Sequence, residues 1–307
     1  MQKAHVHIVM ATYNGEKYIR EQLDSLLSQT HQNISVEICD DGSTDMTLAI
    51  AKEYCAEDSR VSLVENEKNQ GYVRNFLHGI KRSEADYVML CDQDDIWNAD
   101  KVAITLSAMQ GAEQEMPGVP ILVYTDAMNY DSRTKKDIGR FHKASHLQVK
   151  KVDTPHLFME NKCIGCTIML NRSLVMCVED MPEEIRVHDW WLALIAAHFG
   201  QIVYVDKATL RYRQHDDNMI GGDSYHSYVQ ERASRLQEQR QVLHKTYEQA
   251  AAFLRCYRDK MNDEQIRVAE KFASMEQANW FVRRKRVICD GYRKSGLLRN
   301  VGLLLLM

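Results

Sequence analysis

The chain has 307 residues, enough for one large α/β domain with an appendage or for two modest domains. Hydrophobic residues make up 45% and charged residues 27%, and a net charge of −4 gives no electrostatic case for binding nucleic acid. The opening stretch MQKAHVHIVMATYNG lacks the apolar core of a signal peptide, and no run reaches the roughly 18 to 20 apolar residues needed to span a bilayer, so a cytoplasmic protein is expected.

Four short runs rich in β-branched residues come first: HVHIVMATY (5–13), SVEICDD (35–41), VSLVENE (61–67) and DYVMLCD (86–92). Helical stretches separate them at 16–28, 45–56 and 72–81; in the first, Ile19, Leu23, Leu26 and Leu27 recur at helical spacing. This alternation predicts a Rossmann-like, mainly parallel α/β sheet with helices on both faces. Such sheets bind ligands outside the carboxyl ends of their strands, so the residues ending each strand are the ones to read. The ends are ATYNGEKY, CDDGSTD, NQGYVRN and CDQDDIW. Any one is an ordinary polar loop, but four in succession outline a site.

A middle region, about 120–215, mixes strand-like ILVYTDAMNY, CTIMLNRSL and QIVYVDKATLRYRQH with an apolar helix, HDWWLALIAAHFG (188–200). From Ser224 to Lys294 the pattern is almost wholly helical. The eight cysteines include one CxxC, Cys163 and Cys166, without the second pair a zinc site needs, and buried free thiols are expected.

Two motifs carry chemistry. In DDGSTD, Asp40 and Asp41 end a strand, Gly42 permits a tight turn and Ser43 or Thr44 can cap the next helix. A second aspartate exceeds what capping requires, and Asp41 can accept the imide N–H of a uracil or thymine ring. In DQDD, Asp92, Asp94 and Asp95 crowd together as a solvated turn does, or as the oxygen ligands of magnesium or manganese do. Their position at the end of the fourth strand favours the metal, which would bridge the protein to a diphosphate.

In this order, ATYNGEKYI, DDGSTD, NQGYVRNF, CDQDDIW and HDWW resemble the family 2 glycosyltransferases of GT-A fold, over roughly residues 5–222. The resemblance implies a GT-A transferase domain at 1–222 and a C-terminal helical region at 223–307. It also implies a nucleotide-sugar donor, a divalent cation (Mn or Mg) and inversion at the anomeric carbon. Thr12, Tyr13, Asn14 and Glu16 would line the nucleoside pocket with Asp41 on the base, and Arg74 and Asn75 would lie near the nucleotide. Asp92 and Asp94 would serve ribose, metal and diphosphate, with Gln93 on the donor and Asp95 in support.

The family takes its base from a carboxylate at a helix start, which here reads VHDWW: Asp189 is the candidate base, and His188 stands where a glutamate is usual. An ordinary aspartate, at a pKa of about 3.9, is a weak base, and burial beside Trp190 and Trp191 would raise it. Trp190, Trp191 and His188 are the candidate acceptor contacts, against a core role for the tryptophans and an exposed helix start for the histidine. In RYRQHDDNMIGG, Arg213 is a candidate donor contact and His215 a candidate metal ligand, with Gly221 and Gly222 as a hinge.

Among family members the motifs look most like bacterial rhamnosyltransferases of cell-surface polysaccharide synthesis. That implies dTDP-L-rhamnose as donor, with UDP-hexoses and UDP-N-acetylhexosamines as alternatives, and a saccharide acceptor, expected to be lipid-linked. The stretch WFVRRKRVICDGYRKSGLLRNVGLLLLM joins a basic cluster to an apolar tail, suited either to the inner membrane surface or to burial in the fold or a homodimer. A nucleotidyltransferase would carry a lysine-bearing glycine-rich loop after the first strand, which ATYNGEKY does not supply. A non-catalytic homologue would have lost an acidic element, and none is missing.

Overall fold

A computed structural model describes residues 4–179, 181–214 and 236–307. The predicted alternation is present: β1 (Val6–Thr12), α1 (Ile19–Leu27), β2 (Ile34–Asp40), α2 (Thr47–Glu57), β3 (Val61–Glu65), α3 (Tyr72–Arg82) and β4 (Tyr87–Asp92). Helix α1 begins three residues later than expected because the Gly15 carbonyl accepts both the Tyr18 and Ile19 amides, closing a turn first. Gly71, at φ 82°, holds the left-handed conformation that starts α3 abruptly.

The chain continues through β5 (Ile96–Trp97), α4 (Lys101–Glu115), β6 (Ile121–Asp131), β7 (Lys136–Arg140), α5 (Phe141–Ala144) and α6 (Thr154–Met159). A 3-10 turn (Gly165–Thr167) leads into β8 (Ile168–Asn171), then α7 (Arg172–Met176), α8 (His188–Phe199) and β9 (Gln201–Gln214). The expected strand CTIMLNRSL is shortened at both ends. The 3-10 turn takes its start, and the Asn171 side chain accepts the Leu174 amide and caps α7 at its finish.

One sheet joins the nine strands among the described residues in the order β3-β2-β1-β4-β8-β6-β9-β5, with β7 on β6. The first four strands pair in parallel, whereas β8 runs antiparallel to both β4 and β6. Alternation along each strand sends side chains to two cores. Ile8 and Met10 of β1 face α1 and α4, while Val9 faces α3 and α8.

The C-terminal helices α9 (Leu236–Tyr257), α10 (Asp263–Ala273), α11 (Trp280–Cys289) and α12 (Leu297–Leu306) lie on the α8 face. Phe253, Phe272, Tyr292 and Leu303 join the α8 core there. A buried polar knot fixes the last segment. Lys162 pairs with Glu160 and donates to Ser295 Oγ (2.7 Å), and Arg299 pairs with Glu160 (3.0 Å). The expected boundary at 222/223 lies outside the described residues, and none of the described helices is long and apolar enough to cross a membrane.

Candidate active site

The ends of β1, β2 and β4 open into one cavity of about 320 Å³, closed on its far side by the start of α8. On the β1 side, Gln93 clasps the chain after the strand: its Oε1 accepts the Tyr13 amide (2.9 Å) and its Nε2 donates to the Tyr13 carbonyl (3.1 Å). Thr12, Tyr13 and Gln93 therefore line the cavity together. Asn14 and Glu16 do not. Their side chains accept the Thr44 and Met46 amides, at 2.8 and 2.9 Å, so they brace the loop before α2. That placement corrects the expectation of direct lining: the amides left over at the start of α2 draw these side chains away.

Asp41 lines the cavity, yet its carboxylate is already engaged. Oδ1 accepts from Asn66 Nδ2 and the Gln70 amide, both at 3.0 Å, and Oδ2 from the Gly71 amide at 2.8 Å. Asn75, also on the cavity, is fixed by a 2.7 Å bond to the Cys39 carbonyl. Arg74, one residue earlier on α3, points elsewhere and meets Glu183 at 3.4 Å in a separate surface groove. The nucleotide contact expected of it is not made by this geometry, because a helix turns about 100° per residue.

The acidic turn presents Asp92 and Asp94 to the cavity and buries Asp95 behind them. Burial, then the neighbouring Asp94 and Asp189, push Asp92 up to about 7. Asp95 is raised well above the carboxylate range by burial and by Asp94 and Asp92. Its Oδ1 accepts the Arg213 amide (3.2 Å), while Oδ2 is buried with no hydrogen-bond partner among the described residues. Asp92, Asp95 and the Cys166 thiol bring ligand atoms within 4.8 Å of one another. Crowded, mutually raised carboxylates with an unused buried oxygen are what a hard divalent cation relieves, so the residues fit such an ion.

Arg213 supports this turn from behind. Its Nε donates to the Asp94 carbonyl (2.7 Å), its guanidinium pairs with Glu21, and it packs 4.9 Å from the Tyr18 ring centroid. Strand alternation on β9 gives the cavity to Tyr212 instead, which corrects the donor role expected of Arg213. His215 lies outside the described residues, as do Gly221 and Gly222.

Across the cavity, Asp189 sits in the first turn of α8 and accepts the Trp190 amide (2.7 Å). Burial lifts it to about 6, against the downward pull of hydrogen bonds from the Trp190 and Gly165 amides and the Asn161 side chain. His188 also borders the cavity, but it is buried, not exposed. Its ring stacks on Phe76 at 4.2 Å, neither nitrogen has a partner among the described residues, and burial drives it down to about 3. It is a neutral wall, unable to pair with phosphate as a cation. Gly165 allows this packing, since a Cβ there would stand 2.8 Å from His188 Nε2.

Trp190 and Trp191 do not reach the cavity. Trp190 donates its indole N–H to the Leu157 carbonyl, and Trp191, fully buried, packs 5.2 Å from Phe253. Helical rotation carries both into the core while His188 and Asp189 face the opening, so the acceptor contact expected of the tryptophans is corrected to core packing. The aromatic lining comes from Tyr13, Tyr72, Phe76 and Tyr212. Of the cavity residues that the motifs did not single out, Tyr72 had a signal, since it precedes Asn75 and Phe76 by three and four positions.

The comparisons with known proteins agree with this geometry. The family profile described as glycosyl transferase family 2 matches residues 7–177. The dTDP-rhamnosyl transferase RfbG of Shigella flexneri is 30% identical over 227 residues, covering 70% of this chain and 74% of that one. A UDP-Glc:alpha-D-GlcNAc-diphosphoundecaprenol beta-1,3-glucosyltransferase, WfgD of Escherichia coli, is 30% identical over 172 residues, 55% of this chain and 61% of its own. Among solved structures, the mannosyltransferase PcManGT of Pyrobaculum calidifontis, in complex with GDP-Man and Mn2+, aligns over 99% of this chain and 79% of its own, with a TM-score of 0.59 at 17% identity. That likeness shows a shared fold, and the fold is GT-A. With the profile spanning more than half of the residues and the strand ends arranged as described, the chain belongs to glycosyl transferase family 2.

Proposed function

We propose that the protein is a metal-dependent, inverting hexosyltransferase that moves L-rhamnose from dTDP-L-rhamnose onto a saccharide, carried on a lipid, in cell-surface polysaccharide synthesis. The observation that carries the reading is the pairing across one cavity of a buried carboxylate raised to about 6, Asp189, with the acidic turn at Asp92 and Asp94. The acceptor hydroxyl gives its proton to the Asp189 carboxylate as its oxygen attacks the anomeric carbon, and the bond from that carbon to the diphosphate oxygen breaks. Asp92 and Asp94 would hold Mn or Mg, with the unused Asp95 oxygen behind them, and the cation when bound would neutralise charge on the departing diphosphate. Thr12, Tyr13, Asp41, Asn75 and Gln93 would bind the nucleoside half, and His188 would border the acceptor.

Two observations support rhamnose. A dTDP-rhamnosyl transferase is among the relatives, and the cavity wall formed by Tyr72, Phe76, Ile164 and Val187 is apolar and suits the methyl group of a 6-deoxyhexose. A UDP-glucose donor is the second reading, favoured by the glucosyltransferase relative. A panel of nucleotide sugars with Mn or Mg, followed by thermal stabilisation and by nucleotide release, separates the two. Stabilisation and turnover with a UDP-sugar but not with dTDP-rhamnose would overturn the rhamnose assignment.

A further inference from the structure

Helix α12 packs Leu303 inward, with Met307 buried just beyond its end, and an ordinary surface helix would carry polar residues on its outer face. Here the outer face is apolar. Leu297 (80% exposed), Leu298, Val301 and Leu305 (77% exposed) fall on one stripe at helical spacing. Helix α11 repeats the pattern with Trp280, Phe281 (77% exposed) and Ile288 along one side, and Arg284 among them. The two stripes meet: Arg284 donates to the Leu304 carbonyl (2.7 Å), its guanidinium lies 3.8 Å from the Trp280 ring centroid, and Trp280 and Leu305 line one cavity of about 420 Å³. So much apolar surface on two adjacent helices marks an interaction face.

Charge identifies the occupant. Arg284 lies within the apolar stripe and the exposed Lys285 borders it, whereas Arg286 turns back to the Lys271 carbonyl; α11 contains no acidic residue, and neither Arg284 nor Lys285 makes an ion pair with a carboxylate among the described residues. A second copy of this chain meeting the face about a two-fold axis would set these cations against themselves. An anionic bilayer surface satisfies both features, taking the leucines and aromatic rings into its interface and the cations at its headgroups. At ten residues, α12 is about 15 Å long, half of what a span needs.

We propose that α11 and α12 together form a docking surface for anionic lipid headgroups, on which the protein lies without crossing the bilayer. The inference rests on this face alone and stands whichever sugar is transferred. The test is co-sedimentation of the full chain with vesicles of phosphatidylcholine alone and of phosphatidylcholine with phosphatidylglycerol, at low and high salt. Binding to the anionic vesicles that falls with salt is expected. Lys285→Glu is expected to weaken it by about tenfold or more, from the loss and reversal of one surface charge. Leu298→Glu with Leu305→Glu should weaken it comparably, with melting temperature unchanged. Equal binding to both vesicle types, wild-type binding by these variants, or a solution dimer that the leucine variants convert to monomer would each overturn the proposal.

Discussion

At the scale of single residues, the site works by withholding water from carboxylates. In the proposed reaction Asp189 would serve as the base because burial lifts it to about 6, so it is ionised at neutral pH yet holds a proton far better than a free aspartate. Lowering the pH protonates it, and turnover under saturating substrate is expected to fall about tenfold per pH unit below about 6. Asp189→Asn should keep donor binding, read by thermal shift, while transfer drops by roughly 10²–10⁴-fold. Full activity in that variant would remove Asp189 from the mechanism. Asp92→Asn makes a complementary prediction. Removing one of the crowded charges should stabilise the metal-free protein at neutral pH, and should abolish the rise in melting temperature expected of the wild type on adding manganese.

At the scale of elements, the start of α8 is where packing and chemistry meet. Gly165→Ala would drive a methyl toward a His188 ring already stacked on Phe76, at a cost of about 1–3 kcal/mol of stability. Because the Gly165 amide bonds Asp189, that variant should also lower kcat. Trp191→Ala should instead destabilise by about 3–5 kcal/mol in denaturant titrations while leaving the KM for acceptor unchanged, as befits a core residue. The same elements show how far sequence reasoning reaches. The βα alternation and the four polar strand ends were legible because the strands are short runs rich in β-branched residues, and helical stretches separate the first four of them. The place of Asp189 on the cavity was legible through the family resemblance of VHDWW, not from helical periodicity. The facing of Trp190 and Trp191 was not, because nine of the twelve residues of α8 are buried and no polar stripe marks an outside. For Asn14, Glu16 and Arg213 the residue types were right for a nucleotide pocket, but nearer hydrogen-bond partners claim them.

At the scale of the whole molecule, the C-terminal helices complete the core behind α8. Glu160, Lys162, Ser295 and Arg299 form a knot in which Lys162 is 1% exposed, so removing one charge strands another. Glu160→Gln is expected to cost about 3–5 kcal/mol, measured by urea denaturation. The loss should reach activity as well, since Asn161, between Glu160 and Lys162, bonds the Asp189 carboxylate. A variant that lost stability but transferred sugar at the wild-type rate would separate the knot from the base.

That knot also sets an order of events during synthesis. Glu160 receives its Ser295 and Arg299 partners from positions 135 and 139 residues further along the chain. While the ribosome is still adding those residues, the sheet, the acidic turn and Asp189 can all be in place, but the segment carrying Asn161 has only its local bonds to Cys163 and between Glu160 and Lys162. The nascent chain would therefore have the cavity walled by the sheet well before the segment carrying Asn161 gains these distant partners.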